Sequence, residues 1–222
     1  QGLSDQSGYN FWNVGYAFHQ DQTVDDVAFL SSLATYLQNE YELNSQNTFS
    51  TGMSNGGDMS YMLACQANSI FRAIAPVAGC MLETIYDTCD SSPVPVLEIH
   101  GTNDNVTLWD GDMQNNDGWG AYYSIEDGID YWVNTNNCSN SEDIILLNTN
   151  TNDGSYIINH RYFDCDESAE VWLYEVVGGG HDWPGSDGNM DIQSSEEIWS
   201  FFSQYTFNLG DINNDGSINI LD

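Results

Sequence analysis

Two apolar segments that each end in glycine constrain the fold of this chain most strongly. Residues 72–79 (RAIAPVAG) and 95–101 (PVLEIHG) are predicted to be buried strands, since neither shows polar alternation. Segments with helical spacing are found at 23–37, 57–68 and 126–133. Further strands are expected at 47–51, 144–147, 156–163 and 171–177, and an irregular loop at 1–20. Strands that alternate with helices predict an α/β fold with a mainly parallel sheet and flanking helices.

The charge balance excludes several classes of partner. The 222 residues include 34 acidic residues and only two basic ones, Arg72 and Arg161, which gives a net charge of −32. Such a surface repels nucleic acid phosphates and anionic lipids, so neither nucleic acid nor a membrane is an expected partner. Self-repulsion also destabilises the compact state, and salt relieves it. We therefore expect stability to rise with NaCl, as in a protein from a saline environment.

Cysteine usage favours a secreted protein. There are five cysteines, which are Cys65, Cys80, Cys89, Cys138 and Cys165. Four of them would suit disulfides in an oxidising compartment, although the odd number leaves the pairing open. None lies in a CxxC motif or beside a histidine at metal-ligand spacing, so no zinc site is expected.

The stretch 50–60 (STGMSNGGDMS) lies between a predicted strand and a predicted helix and contains a G-x-S-x-G pattern. In a nucleophile elbow, small residues two before and two after the serine allow strand and helix to approach closely. Gly52 and Gly56 hold these positions around Ser54. The alternative is a turn or helix start that merely favours glycine. The flanking strand and helix favour the elbow, with Ser54 as the nucleophile.

A serine nucleophile needs a base, and His181 is the best placed of the four histidines. It follows the strand 171–177 and a triple-glycine loop, which is where the order serine, acid, histidine requires the base. His160 lies within a predicted strand, and His19 precedes the serine. His100 ends a strand but precedes the candidate acids, whereas the order serine, acid, histidine requires the base to follow them. We expect it to pack and form hydrogen bonds beneath the next loop.

The base needs an orienting carboxylate. Asp104 comes directly after the buried strand 95–101 and is the expected acid. Asp110 and Asp112 lie farther along the same loop and are second choices.

Four motifs in the right order resemble a known family. TGMSNGG, APVAG, PVLEIHGTND and GGGHDWPG are similar to motifs of the secreted polyhydroxybutyrate-depolymerase and feruloyl-esterase-like α/β-hydrolases, over roughly residues 1–205. The resemblance implies an α/β-hydrolase fold and a serine esterase that needs no cofactor for catalysis. It implies the catalytic triad Ser54, Asp104 and His181, with the Asn55 backbone N–H as one oxyanion donor.

The same resemblance implies two further features. It pairs Cys138 with Cys165 and, more loosely, Cys80 with Cys89, which would leave Cys65 free and buried on the elbow helix. It also implies family strands and a second oxyanion donor upstream of Gln1. The chain is therefore expected to be an α/β-hydrolase domain over 1–207 that lacks its N-terminal strands.

Residues 208–222 differ in character and fit one calcium loop. Positions 1, 3, 5, 7, 9 and 12 of such a loop carry oxygen ligands, and position 6 is glycine. The matching residues are Asp211, Asn213, Asp215, Ser217, Asn219 and Asp222, with Gly216 at position 6. An acidic linker is the alternative, but it would not place glycine and apolar residues so regularly. The loop resembles the start of a type I dockerin, which implies bound Ca²⁺ and a cohesin-type scaffold protein as partner.

The dockerin-like segment shifts the expected substrate towards polysaccharide-linked esters of the feruloyl or acetyl xylan type, by analogy. A polyhydroxyalkanoate depolymerase, or a non-catalytic fragment for calcium-dependent docking, is the alternative. A serine peptidase is disfavoured because HGTND and GGGHDWPG resemble esterase motifs. Trp109, Trp119 and Trp183 can stack on a sugar or an aryl acyl group or pack internally, and packing is the expected role of Trp183.

Overall fold

The structure is a computed structural model that describes residues 2–4, 8–19 and 21–207. The strands are β1 (Leu3–Ser4), β2 (Asn10–Phe11), β3 (Phe49–Met53), β4 (Ala73–Val77), β5 (Val96–Gly101), β6 (Asn140–Ile145), β7 (Tyr156–Phe163) and β8 (Val171–Val177). The helices are α1 (Asp26–Glu40), α2 (Asn55–Gln66), α3 (Glu83–Tyr86), α4 (Ile125–Thr135) and α5 (Ser194–Ser203). Short 3₁₀ turns lie at Ala17–His19 and Asp166–Ser168.

Six strands form one mixed sheet in the order β3-β4-β5-β8-β7-β6. The pairs β3–β4, β4–β5 and β5–β8 are parallel, while β8–β7 and β7–β6 are antiparallel. The prediction of an α/β fold with a mainly parallel sheet is confirmed. All parallel strands end at one edge of the sheet, and the loops that follow β3, β5 and β8 therefore meet there.

Helices cover both faces of the parallel part, which explains the continuous apolar runs of β4 and β5. Successive strand residues point to opposite faces, so Val96 joins one core cluster and Leu97 the other. The first cluster packs the sheet against α2 and α4, with Trp132 fully buried. The second packs it against α5 through Phe201. The polar side chains of β5 that face α2 and α4 are thus enclosed on every side.

Three local expectations differ from the structure. The helix expected over 23–37 begins at Asp26, because the carboxylate of Asp25 caps it and accepts a hydrogen bond from Ala28 N at 2.8 Å. The strand expected at 144–147 lies at Asn140–Ile145, where pairing with β7 decides its bounds although its residues are exposed. The segment expected to be an irregular loop contains the short antiparallel pair β1–β2.

The disulfides confirm one expected pair and correct the other. Cys138 is bonded to Cys165, as the resemblance implied. Cys65 is bonded to Cys89, with 5.0 Å between their Cα atoms, so the expected Cys80–Cys89 pair is wrong. Cys80 is the buried free cysteine. The physical reason is that Cys80 follows β4 and its backbone N–H is held by Asp58, whereas Cys65 lies on the less buried side of α2.

The C-terminal expectations concern residues that the structure does not describe. The calcium-loop residues all lie between 208 and 222, outside the described residues, and they are Asp211, Asn213, Asp215, Ser217, Asn219 and Asp222. Calcium binding there stays a prediction. Across the described ranges, no helix combines the length and apolar character that a membrane crossing requires.

Candidate active site

Ser54 occupies the sharp turn between β3 and α2. Its backbone dihedrals are φ 55° and ψ −122°, a left-handed conformation that is strained for a residue with a side chain. Its N–H donates to Val77 O at 2.8 Å, and its carbonyl accepts from Gly57 N and Asp58 N at 2.7 and 3.0 Å. The neighbouring strand and the first helical turn therefore hold the strained backbone in place. A serine in such a strand-to-helix turn is typical of a nucleophile elbow.

Asp104 and His181 meet although 76 residues separate them in the chain. Asp104 follows β5 and His181 follows β8, and these strands are parallel neighbours. The His181 Nδ1 atom lies 2.7 Å from Asp104 Oδ2. The two loops are joined directly, because Asn103 N donates to Gly179 O at 2.8 Å and Thr102 N donates to Val176 O at 3.0 Å.

The carboxylate of Asp104 is buried and fully engaged. Only 4% of the residue is exposed. Its second oxygen, Oδ1, accepts hydrogen bonds from Val106 N at 2.8 Å and Thr107 N at 2.9 Å. The backbone N–H groups of its own loop therefore stabilise the charge and fix the plane of the carboxylate.

Ser54 lies at the same edge of the sheet as this pair. It lines a narrow cleft, in which about 20 Å³ is accessible to a water-sized sphere, together with Val106 and Thr107, whose N–H groups hold Asp104. Among the described residues, no hydrogen bond joins Ser54 Oγ to the His181 ring, so the structure brings together the acid and the base but not the base and the hydroxyl. Proton transfer between them requires the two side chains to approach to hydrogen-bond distance.

Aromatic side chains line the cleft beside Ser54. Tyr16, Trp119 and Tyr122 form much of its wall, together with Leu82. Trp119 is therefore at the site, whereas Trp183 packs against the α5 core, as expected. Tyr16 and Tyr122 are buried, whereas Trp119 is half-buried, so Trp119 offers the most accessible ring of the three.

Two contacts at the cleft join residues that no sequence motif connects. The Tyr16 hydroxyl donates to Asp58 Oδ2 at 2.5 Å, and Cys80 N donates to Asp58 Oδ1 at 2.8 Å. Burial raises the pKa of the Asp58 carboxyl to about 6, although these donors lower it in part.

Asn55, the expected oxyanion donor, is the first residue of α2. Its side chain accepts a hydrogen bond from Trp12 N at 2.6 Å and donates to Trp12 O at 3.1 Å, which holds the segment that carries Tyr16. Its backbone N–H is one of the initial helical donors that have no intrahelical acceptor. The positive end of the helix dipole also points towards this position.

The other candidates have different surroundings. His100 lies beneath the next loop with its Nε2 atom 2.9 Å from Thr107 O, as expected. His160 lies within β7 between Asp143 and Glu175, at 2.8 Å from each. Asp112, a second choice for the acid, accepts hydrogen bonds from Asn116 Nδ2 and Asp117 N in its own loop.

Comparison with known proteins gives one family and several relatives. The family model described as the prolyl oligopeptidase family (Peptidase_S9) matches residues 3–207. The chain is 34% identical over 107 residues to the probable feruloyl esterase C of Aspergillus niger, which covers 47% of this chain and 37% of that protein. It is 27% identical over 200 residues to feruloyl esterase B of Piromyces equi, which covers 88% of this chain and 34% of that protein. The match with either relative thus spans about a third of that relative's length.

Among solved structures, the acetyl xylan esterase from Aspergillus awamori superposes with a TM-score of 0.55 at 16% identity. The match covers 91% of this chain and 76% of that chain. At this identity the likeness concerns the fold alone.

Proposed function

This chain belongs to the prolyl oligopeptidase family, and we propose that it is a serine esterase in which Ser54, Asp104 and His181 form the catalytic triad. The observation that carries the proposal is the 2.7 Å contact between His181 Nδ1 and Asp104 Oδ2, at the sheet edge where Ser54 forms a strained turn. The α/β-hydrolase fold shared with a solved esterase supports it.

In the proposed reaction, His181 Nε2 takes the proton of Ser54 Oγ while Oγ attacks the ester carbonyl carbon. Asp104 accepts a hydrogen bond from His181 Nδ1–H throughout. This bond keeps the proton on Nδ1, so that Nε2 is free to act as the base, and it stabilises the imidazolium that forms. The Asn55 N–H donates to the developing oxyanion. The imidazolium then gives its proton to the leaving alcohol, and an acyl-enzyme remains. Water attacks this ester with His181 again as the base, which releases the acid and restores Ser54.

The names of matched relatives and one wall residue of the cleft support an aromatic acyl group as the preferred substrate. Trp119 is half-buried and lines the cleft beside Ser54, so its ring is accessible to an aromatic acyl group, whereas Tyr16 and Tyr122 are buried. Two matched relatives are named feruloyl esterases. We therefore assign the substrate class as polysaccharide-linked esters of the feruloyl type, with acetyl xylan as the second member of the class. The disulfides Cys65–Cys89 and Cys138–Cys165 support a secreted enzyme.

The first experiment compares the wild type with Ser54→Ala on methyl ferulate, acetylated xylo-oligosaccharide and a hydroxybutyrate ester. We expect methyl ferulate to be cleaved best and Ser54→Ala to lower kcat by at least about 10⁴-fold. Ser50→Ala is the matched control, because Ser50 lies on the same stretch and its hydroxyl hydrogen-bonds to that of Ser60. Near-full turnover by Ser54→Ala would refute the assignment, and preference for the hydroxybutyrate ester would refute the substrate class.

Covalent labelling separates an esterase from a non-catalytic docking fragment. A fluorophosphonate should modify Ser54 in the wild type and in Ser50→Ala but not in Ser54→Ala, because only an activated serine reacts readily. Absence of both labelling and hydrolysis in the wild type would refute the esterase proposal.

For residues 208–222 we propose Ca²⁺-dependent docking to a cohesin-type protein. Calorimetry with CaCl₂ on the chain and on Asp215→Ala tests this proposal.

A further inference from the structure

Two buried ionisable groups on β5 lie directly behind the proposed catalytic acid. The side chains of Glu98 and His100 are 0% exposed, and His100 Nδ1 lies 2.9 Å from Glu98 Oε1. The other Glu98 oxygen accepts a hydrogen bond from the Tyr61 hydroxyl at 3.1 Å. The reaction proposed above uses neither residue. Burying two such groups in a core is costly unless they are paired, so their presence calls for an explanation.

The partners of His100 require one proton between the ring and Glu98. His100 Nε2 lies 2.9 Å from the carbonyl oxygen of Thr107, which can only accept, so Nε2 carries a proton. A neutral ring then has no N–H at Nδ1, which faces Glu98 Oε1. The 2.9 Å contact is a hydrogen bond only if one further proton lies on Nδ1 or on the carboxyl group. The pair is therefore neutral as a whole.

The direction of the pKa shifts agrees with this proton count. Burial raises the pKa of the Glu98 carboxyl above its ordinary range. Burial lowers the pKa of His100, but the hydrogen bond and charge of Glu98 outweigh it and raise that pKa overall. Both shifts favour retention of the shared proton.

The ring of His100 contacts the loop that carries Asp104 at two points, the Thr107 carbonyl and the Asp104 carboxylate. Its Nε2 atom binds the Thr107 carbonyl, while the Thr107 N–H donates to Asp104 Oδ1 at 2.9 Å. The same Nε2 atom lies 3.5 Å from Asp104 Oδ2, the oxygen that contacts His181. Displacement of the ring would therefore move the carboxylate relative to His181.

We propose that Glu98 and His100 are positioning residues for the esterase reaction: one buried proton held between them fixes the His100 ring, and the ring aims Asp104 Oδ2 at His181. The proposal rests on the proposed function. The ionisable groups around the pair come from several elements. They are Tyr61 and Asp58 on α2, Cys80 after β4, Asp104 in the following loop and Glu175, the neighbour of His100 on β8.

The sheet contains a matched control. His160 lies on β7 and bonds to Glu175 at 2.8 Å, so it also forms a histidine–carboxylate pair. Its side chain is 23% exposed, and its other nitrogen bonds to Asp143 rather than to the loop of Asp104. Replacing His160 disrupts a similar pair that makes no hydrogen bond to the loop of Asp104.

The test measures kcat and KM for Glu98→Leu, Tyr61→Phe and His160→Gln, in the wild-type and in the Asp104→Asn background. Leucine is similar in size to Glu98 but leaves His100 Nδ1 without a hydrogen-bond partner, whereas a glutamine amide would donate to Nδ1 as a protonated carboxyl does. We expect Glu98→Leu to lower kcat by about 10- to 100-fold, with KM within about twofold, because only the alignment of the acid changes. Tyr61→Phe should give a smaller loss of the same kind, and His160→Gln none. In the Asp104→Asn background, Glu98→Leu should cause no further loss.

Two outcomes would overturn the proposal. One is a folded Glu98→Leu variant with wild-type kcat, and the other is an equal additional loss in the Asp104→Asn background, as a purely structural role predicts. If Glu98→Leu does not fold, Tyr61→Phe decides, and an unchanged kcat in that variant counts against the proposal.

Failure of the esterase function itself is recognised separately. A wild type without Ser54-dependent hydrolysis or labelling refutes that function. Proton NMR then tests the positioning of Asp104 independently of activity. The measured quantity is the rate at which the His181 Nδ1–H proton, in its hydrogen bond with Asp104, exchanges with water. The resonance of this proton should be retained in the wild type and His160→Gln, and the proton should exchange faster with water in Glu98→Leu and Tyr61→Phe. Equal exchange in all four proteins would overturn the positioning role.

Discussion

A Cβ atom added to Gly52 would lie 2.8 Å from the backbone of Gly56, whereas one added to Gly56 would meet no atom within 4 Å. The two glycines of the G-x-S-x-G pattern are therefore not equivalent. The second close approach involves Gly57 instead, where a Cβ would lie 2.9 Å from Gly79 Cα. The turn that presents Ser54 depends on a missing side chain at positions 52 and 57.

This asymmetry predicts opposite results for two single-methyl substitutions. Gly52→Ala should force β3 and α2 apart at the turn, lower the melting temperature and reduce kcat by about 10- to 100-fold through displacement of Ser54. Gly56→Ala should retain activity and gain up to about 1 kcal/mol, since alanine favours a helix more than glycine does. Thermal unfolding and ester hydrolysis measure both. Equal loss in the two variants would contradict the geometry.

The disulfide pairing predicts a distinctive count of free thiols in denaturant. The wild type should have one, from Cys80. Cys65→Ser should have two, because Cys89 loses its partner, and Cys80→Ser should have none. If Cys80 were paired with Cys89 instead, Cys65→Ser would have none and Cys80→Ser two. Thiol titration distinguishes the two pairings.

The same bond should stabilise the fold. Opening a cross-link between residues 24 apart costs about 3 kcal/mol, chiefly because the unfolded chain gains freedom. Cys65→Ser with Cys89→Ser should therefore lower the free energy of unfolding by about this amount in urea titrations. An unchanged midpoint would indicate that the bond does not form.

The alternation of strands and helices, and the loops that carry Ser54, Asp104 and His181, could be predicted from the sequence. In a parallel sheet, the carboxyl ends of strands lie at one edge, so Asp104 after β5 and His181 after β8 were expected to meet. Their 2.7 Å contact agrees with that expectation. The apolar sequences of β4 and β5 predict buried strands, and the glycines around Ser54 predict the tight turn, so local sequence patterns are sufficient for both features.

The walls of the cleft could not be predicted in the same way. Tyr16 comes from a segment without period, and its contact with Asp58 joins residues 42 positions apart. The reciprocal bonds between Asn55 and Trp12 are equally distant in the chain. The choice of Cys65 over Cys80 depends on which side of α2 faces Cys89. Such contacts follow from tertiary packing, which no local pattern encodes.

The acidic composition predicts a rise of stability with salt. At a net charge of −32, repulsion between carboxylates opposes the folded state. Raising NaCl from about 0.1 M to about 1 M shortens the screening length from about 10 Å to about 3 Å. Each kcal/mol regained should raise the melting temperature by about 2–4 °C. Sucrose at equal osmolality is the control, and equal effects of salt and sucrose would argue against charge repulsion.

The buried carboxyl of Asp58 predicts a specific pH dependence of stability. Burial raises its pKa in the folded state from the ordinary 3.8 to about 6. The folded state therefore binds this proton more tightly than the unfolded state does. Its stabilising contribution is fully present below pH 3.8 and is lost as the pH rises through about 6, by about 3 kcal/mol in total.

Asp58→Asn removes this titration while leaving an oxygen for Cys80 N and an amide for the Tyr16 hydroxyl. The free energy of unfolding of Asp58→Asn, minus that of the wild type, should therefore increase by about 3 kcal/mol from below to above this pH window. Urea unfolding at pH values below, within and above the window measures it. Asp130→Asn on α4 controls for the loss of one exposed negative charge. A constant difference between Asp58→Asn and the wild type would mean that Asp58 does not keep its proton in the folded state.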